Sequence, residues 1–169
     1  MVSNHDTLGP GAGFGDHWHS DVDIVTFVVA GTLAHADSTG HQELLGPADL
    51  QVLRSGAGVG HSERNASATE PVEYVQMWVR STDPEVSYER ASGSVAVSGG
   101  VLSVVGLDPG GAFSLPAEGL QHAYLVSGSV VLADGLRLAA GDALSLARAP
   151  LDLVAETPSR LLAWRLRIG

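Results

Sequence analysis

Asp16-His17-Trp18-His19 and, about forty positions later, Gly60-His61-Ser62-Glu63 are the stretches that decide how this chain is organised. Both lie in segments typical of β-strands, in which successive side chains point to opposite faces. His17 and His19 are therefore expected on one face, and His61 and Glu63 are expected to share a face as well. If the two strands meet across a small barrel, three imidazoles and one carboxylate converge. That set of ligands suits Fe, Mn, Co, Ni, Cu or Zn.

The composition indicates a globular protein with many short elements. The chain has 169 residues, 44% hydrophobic and 17% charged, with 21 Gly and 8 Pro, which fits one domain or two small ones. Its net charge of −10 argues against direct binding to nucleic acid or to an anionic membrane, because both need a basic face. There is no Cys, which excludes disulfides, thiolate catalysis and Cys-type zinc sites.

Neither a secretory leader nor a membrane span is visible in the sequence. Residues 1–15 lack a basic region followed by an apolar one, and no apolar run approaches the roughly 20 residues that cross a bilayer. We therefore expect a cytoplasmic protein.

An internal repeat predicts two similar halves. Val28-Val29-Ala30-Gly31-Thr32-Leu33 matches Leu125-Val126-Ser127-Gly128-Ser129-Val130, and a turn before Asp49 matches one before Asp142. The second half has no histidine pairs, and Ser114 and Pro116 stand roughly where His17 and His19 would be. The predicted fold is all-β, with two tandem barrels. Residues 1–80 form the metal-binding barrel, residues 81–93 a linker, and residues 94–169 a metal-free barrel. We interpret residues 1–16 as turn-like, because they are polar and rich in Gly.

Two motifs carry a family resemblance that spans nearly the whole chain. They are Gly11-x5-His17-x-His19-x3-Asp23 and Gly56-x-Gly58-x2-His61-x3-Asn65. They resemble the two conserved motifs of the cupin superfamily and, within it, the pirin family of bicupins, including bacterial members with quercetin 2,3-dioxygenase activity. The resemblance implies two jelly-roll barrels, the first of which lacks N-terminal strands that the family carries. A homodimer through the uncovered edge is one expectation from that difference.

The resemblance also implies the ligand set and the chemistry. By position, the metal ligands are His17, His19, His61 and Glu63, and the metal is most often iron, with Ni, Cu, Co, Mn or Zn as alternatives. The implied reaction is the opening of a flavonol ring by O2, in which Glu63 accepts the proton of the substrate hydroxyl. Two alternatives stay open: a metal- or redox-responsive regulator that acts through a protein partner, and a lyase or isomerase that needs no O2.

Several other residues receive weaker assignments. Trp18, Asp23 and Phe27 depart from the family pattern near the entrance, so the true substrate is an open question. Asp23 is either a partner of a ligand imidazole or an exposed acid, and Gln51 and Asn65 are candidate partners too. His35 and His41 are expected at the surface, and His122 in a structural or inter-domain role. Trp18 and Trp78 are candidates for the pocket wall, whereas we favour the core for Phe27 and Met77.

Overall fold

A computed structural model describes residues 1–167 as an all-β protein with no helix in that range. None of these residues therefore forms a helix long and apolar enough to cross a membrane. The chain folds as two compact units, Met1–Ser92 and a second that begins at Gly93, and each is a barrel of two antiparallel sheets. The prediction of tandem barrels is confirmed. The end of the predicted range 94–169, residues 168–169, lies outside the described residues.

The first unit contains nine strands in two sheets. One sheet has the order β1-β8-β3-β6-β9 and the other the order β2-β7-β4-β5. The strands are β1 (Val2–Leu8), β2 (Gly13–His19), β3 (Val22–Ala30), β4 (Leu33–Asp37), β5 (Gln42–Leu45), β6 (Leu50–Arg54), β7 (Val59–Asn65), β8 (Val72–Arg80) and β9 (Ser87–Ala91).

The second unit, over its described residues 93–167, also contains nine strands in two sheets. Their orders are β10-β11-β18-β13-β16 and β12-β17-β14-β15. The strands are β10 (Ser94–Val97), β11 (Gly100–Leu107), β12 (Ala112–Leu115), β13 (Leu120–Ser127), β14 (Ser129–Leu132), β15 (Arg137–Ala139), β16 (Ala143–Ala147), β17 (Leu151–Ala155) and β18 (Ser159–Leu166).

The repeat seen in the sequence is a repeat of topology. The orders β1-β8-β3-β6 and β11-β18-β13-β16 correspond strand by strand, as do β2-β7-β4-β5 and β12-β17-β14-β15. The matching turns are built alike: the Asp49 carboxylate accepts from the Gly46 amide at 2.7 Å, and the Asp142 carboxylate accepts from the Ala139 amide at 2.8 Å.

Two strands lie where the sequence predicted none. Strand β1 lies in the range predicted as turn-like, and it pairs along its whole length with β8. Strand β9 lies in the range 81–93 that was predicted as a linker, and it pairs with β6 inside the first unit. Both are largely exposed edge strands with polar residues, so neither shows the apolar alternation that identifies a half-buried strand.

The interior of the first barrel contains a polar layer between two apolar clusters. One cluster is formed by Val28, Leu33, Leu45, Val72 and Tyr74, and the other by Ile24, Leu53 and Val59. Since inward-facing residues recur at every second position, the residues between them belong to the same face. These are buried and polar: Thr26, His35, Gln51, His61, Glu63 and Gln76.

The second barrel has apolar residues at the same ladder positions. Extending the repeat through the strand registers shows which residues of the second barrel correspond to the six of the polar layer: Ala123, Leu132, Leu144, Leu151, Leu153 and Ala163. Four of them, Ala123, Leu132, Leu151 and Leu153, belong to one buried apolar cluster. The register also shows that Leu115, and not Ser114 or Pro116, corresponds to His17. The barrel fold by itself therefore does not require polar residues at these positions.

Candidate metal centre

Strands β2 and β7 bring the three predicted histidines together. His17 lies directly opposite His61 in the antiparallel ladder. The ring centroids of His17 and His61 are 4.3 Å apart, those of His17 and His19 are 4.9 Å apart, and those of His19 and His61 are 5.1 Å apart. One nitrogen from each ring lies within 4.8 Å of the other two. The convergence predicted from strand alternation is therefore present.

A β-bulge in β2 places Phe14 on the same face as this histidine cluster. The ladder shifts between Phe14 and His17, so three steps on β2 match two steps on β7, and Phe14 faces Glu63 while His17 faces His61. Strict alternation would have put Phe14 and His17 on opposite faces. The bulge places both on the inner face, with ring centroids 6.5 Å apart.

The hydrogen bonds leave ring nitrogens available to an ion. His17 Nδ1–H donates to the Gly15 carbonyl at 2.9 Å, which fixes the tautomer with its lone pair on Nε2. His19 Nε2 and both ring nitrogens of His61 are buried without a hydrogen-bond partner. Such atoms are costly unless something binds them. A divalent transition metal fits this donor set.

Burial keeps the imidazoles of His61 and His19 neutral, which is the form that binds metals. Burial, followed by the charges of His17, His35 and His19, lowers the pKa of His61 from 6.5 to about 3. Burial, followed by the charge of His17, also lowers the pKa of His19. Near neutral pH both rings therefore carry a free lone pair.

Glu63 lies beside this cluster and is only 1% exposed. Gln76 Nε2 donates to both carboxylate oxygens, at 2.8 and 2.9 Å. Burial raises the pKa of Glu63, and the hydrogen bonds from Gln76 oppose that rise. A Glu63 oxygen lies within 4.8 Å of ligand atoms of His61 and His35. Glu63 thus adjoins the three histidines through His61, and its role as the fourth ligand stays a prediction.

The expectation that His35 is at the surface is wrong. His35 is 2% exposed and lies opposite Glu63 in the ladder between β4 and β7, so it faces the interior. The signal was the spacing from Leu33, since both residues fall on the inward face of one strand. His41 is partly buried, and its ring stacks on Tyr88 with centroids 3.8 Å apart.

Asp23, Gln51 and Asn65, the candidate hydrogen-bond partners of a ligand imidazole, have other positions or contacts. Asp23 is fully buried, but it lies one residue from Ile24 and so on the opposite face of β3 from the polar layer. Gln51 donates to Thr26 Oγ1 at 3.3 Å and accepts from the Tyr88 hydroxyl at 2.9 Å. Asn65 holds loop carbonyls, donating at 3.0 Å to Leu8 and at 2.8 Å to Glu70. His122 Nδ1 pairs with Ser145 Oγ at 2.9 Å, which fits a structural role.

A cavity of about 460 Å³ opens beside the cluster. Its wall includes Phe14, His17, Glu63, Gln76 and Trp78. Trp78 Nε1–H donates to Gln76 Oε1 at 2.9 Å, so the residue that holds Glu63 also holds the indole. The pocket therefore combines aromatic walls with a carboxylate and a histidine of the cluster.

Trp18 does not line this pocket. Between His17 and His19 on the strand, it points to the outer face and is 66% exposed. Its ring lies over Gly58 and Gly60, where a Cβ added at Gly58 would come within 2.5 Å of the indole. Phe27 and Met77 are fully buried, as predicted.

Comparison with known proteins identifies the family. The Pirin family model matches residues 1–79. A Mycobacterium tuberculosis protein, provisionally named a quercetin 2,3-dioxygenase, is 35% identical over 192 residues, an alignment that covers 98% of this chain and 79% of that protein. This chain belongs to the pirin family. The resemblance inferred from the motifs is confirmed.

Two matches from Escherichia coli, one in sequence and one in structure, extend the comparison. This pirin is 41% identical to a quercetin 2,3-dioxygenase over 78 residues, which are 46% of the chain and 34% of that enzyme. The bacterial pirin YhhW in complex with nickel(II) matches with a TM-score of 0.90 and 26% identity, over 99% of this chain and 82% of that one. The matched fold thus covers both barrels.

Proposed function

We propose that this pirin is a metal-dependent dioxygenase that opens the ring of a flavonol such as quercetin. The observation that carries the proposal is the convergence of three histidine ligand atoms within 4.8 Å beside a cavity with aromatic walls. Relatives named quercetin 2,3-dioxygenase support the reaction class. The proposed ligands are His17, His19, His61 and Glu63. The proposed metal is iron, with Ni, Cu, Co, Mn and Zn as alternatives.

The pocket suits a flat aromatic substrate with a hydroxyl group. Phe14 is 48% exposed at the cavity wall, and Trp78 is held in place by Gln76. Two aromatic side chains can flank the rings of a flavonol. A volume of about 460 Å³ lies within the range of about 300–1,000 Å³ typical of small-molecule sites.

Glu63 is the proposed base. Burial raises its pKa, so it takes up a proton more readily than an exposed carboxylate does. Gln76 donates to both of its oxygens and so fixes the direction of the carboxylate. A bound divalent metal would supply Lewis acidity toward the substrate hydroxyl, and a redox-active one such as iron would also supply redox chemistry toward O2. Glu63 would then accept the hydroxyl proton.

Oxygen consumption with quercetin tests the proposal. The protein is purified without a metal-affinity column, its metal content is measured, and O2 uptake is followed for the wild type, His61→Ala and the surface variant His5→Ala. We expect turnover in the wild type and in His5→Ala, and loss of turnover together with loss of metal in His61→Ala. Full metal occupancy with no turnover across a series of flavonols would overturn the enzyme proposal and favour the regulator.

Two further expectations belong with this proposal. A homodimer would use β1, which forms one edge of its sheet, and size-exclusion chromatography with light scattering decides it, since a clean monomer contradicts it. A cytoplasmic location likewise stays a prediction, and fractionation of the producing cell tests it.

A further inference from the structure

His35 is a buried imidazole for which the proposed reaction has no use. Its Nε2 contacts the Asp37 carboxylate at 3.4 Å, and both side chains are almost completely inaccessible. Asp37 is itself held, because its other oxygen accepts from the Thr39 amide at 2.9 Å and from the Thr39 hydroxyl at 2.6 Å. A proton on His35 Nε2 shared with Asp37 leaves the lone pair on Nδ1, and that atom is buried without a hydrogen-bond partner.

This arrangement is the one that metal-binding histidines adopt. A ligating imidazole usually donates its second N–H to a carboxylate or a carbonyl, which fixes the tautomer and the ring. In His17 the partner is the Gly15 carbonyl. In His35 the partner is the Asp37 carboxylate. Both rings therefore carry a fixed donor on one nitrogen and leave the other available.

The surroundings of His35 complete a donor set. One ligand atom each from His35, His61 and Glu63 lie within 4.8 Å of one another, and all three residues are buried. Two imidazoles with one carboxylate form a set used for catalytic zinc and for non-haem Fe(II), with positions left open. We infer that His35, His61 and Glu63 form a second, inner metal position, an alternative to the outer position whose proposed ligands are His17, His19, His61 and Glu63.

The second barrel shows that packing does not require a histidine at the position of His35. Leu132 occupies the ladder position that corresponds to His35, and Leu153 and Leu151 occupy those of Glu63 and His61. Burying an unpaired polar atom where leucine also fits costs stability. A bound cation removes that cost, because it pairs with the orphaned nitrogen.

The two positions share Glu63 and His61, and His61 makes them alternatives. Both of its ring nitrogens are buried and unpartnered, but a neutral imidazole has a single lone pair. One ion at a time can therefore use it. The outer set has three imidazoles and the carboxylate, and the inner set has two imidazoles and the same carboxylate. The two sets differ in the number of nitrogen ligands, so different metals can favour different positions.

Cobalt(II) binding to variants without the outer pair tests this inference. His17→Ala/His19→Ala protein should still bind one Co(II) per chain. Adding His35→Leu introduces the residue type that the second barrel has at this position, and it should weaken Co(II) binding by about 100-fold. That is the upper end of the loss in metal affinity on removing a residue that only hydrogen-bonds a metal ligand. Adding His122→Leu instead is the matched control and should change nothing. Absence of binding in the double variant, or equal binding with and without His35, would overturn the inner position.

Diffraction gives an independent answer if the triple variant fails to fold. Crystals of His17→Ala/His19→Ala protein grown with Co(II) should show an anomalous peak about 2.1 Å from His35 Nδ1, the usual metal–imidazole distance. A map without that peak contradicts the inference. Neither experiment depends on turnover, so a pirin that fails to oxidise quercetin could still have the inner position, and an active one could lack it.

Discussion

Replacing Gln76 with leucine should destabilise the metal-free protein in a pH-dependent way. The Gln76 amide donates to both Glu63 oxygens, at 2.8 and 2.9 Å, and to Thr26 Oγ1 at 3.2 Å. Its carbonyl accepts from Trp78 Nε1 at 2.9 Å. Leucine has a similar volume and none of these groups, so it leaves the Glu63 carboxylate buried without its donor.

The magnitude follows from what is lost. A hydrogen bond to a charged group contributes about 1.5–3 kcal/mol, and the neutral bond to Trp78 adds about 1 kcal/mol. At pH 8 we therefore expect a loss of about 2.5–4 kcal/mol in the free energy of unfolding. Burial already raises the pKa of Glu63 above 4.5, and removing Gln76 raises it further. A carboxyl group whose pKa is raised in the folded state destabilises the folded protein as the pH rises. The loss should therefore shrink to about 1–2 kcal/mol as the pH is lowered and Glu63 takes up a proton.

Urea unfolding of protein treated with a chelator, followed by tryptophan fluorescence at pH 8 and pH 5, measures both values. Gln51→Leu is the matched control, because Gln51 is also buried and bonds Thr26 and Tyr88 but no carboxylate. Its loss should be the same at both pH values. Equal, pH-independent losses in the two variants would refute the reasoning, since they would mean that Glu63 is not charged at pH 8 or does not depend on Gln76.

Three shorter predictions concern the histidines, the strand contact and the pocket. The pKa of His61, lowered from 6.5 to about 3, means that the folded protein resists a proton that the unfolded chain accepts. As the pH falls from 6.5 to 3, the metal-free protein should therefore lose about 1.4 kcal/mol of stability per pH unit from this group alone. His61→Leu should flatten a plot of the urea midpoint against pH. An unchanged slope would contradict this prediction. Gly13→Ala should weaken Co(II) binding, because a Cβ there would meet the backbone of β7. Gly15→Ala should not weaken it, because no atom lies nearer than 3.9 Å to a Cβ at that position. Equal Co(II) affinities of the two variants would exclude a role for the contact between Gly13 and β7. Phe14→Ala should raise the Kd for quercetin, measured by fluorescence quenching, whereas Trp18→Ala on the outer face should leave it within about twofold of the wild type, and the reverse result would place the substrate elsewhere.

Patterns among residues close in sequence predicted one strand, the repeated topology and the histidine cluster. The run of β-branched residues within Val22–Ala30 predicted β3, and the Gly31 and Gly128 repeat predicted two barrels of one topology. Alternation along β2 and β7 predicted that His17, His19 and His61 share one interior. These features depend on residues close in sequence, which is why the sequence carries them.

Other features depended on contacts between distant strands. The polar strands β1 and β9 exist because β8 and β6 offer them partners, and no local signal marks that. The bulge before His17 depends on register with β7. The burial of Asp23 depends on which face of its sheet is covered.

The His17–His19 and His61–Glu63 pairs show which features the sequence determines and which the tertiary structure determines. Their spacing by two determined from sequence alone that each pair shares a face. Which residues join them was decided by the tertiary structure, because β4 pairs with β7 and thereby sets His35 opposite Glu63, while Trp18 turns outward over Gly58. Strand alternation specifies faces, but only the pairing of strands specifies neighbours.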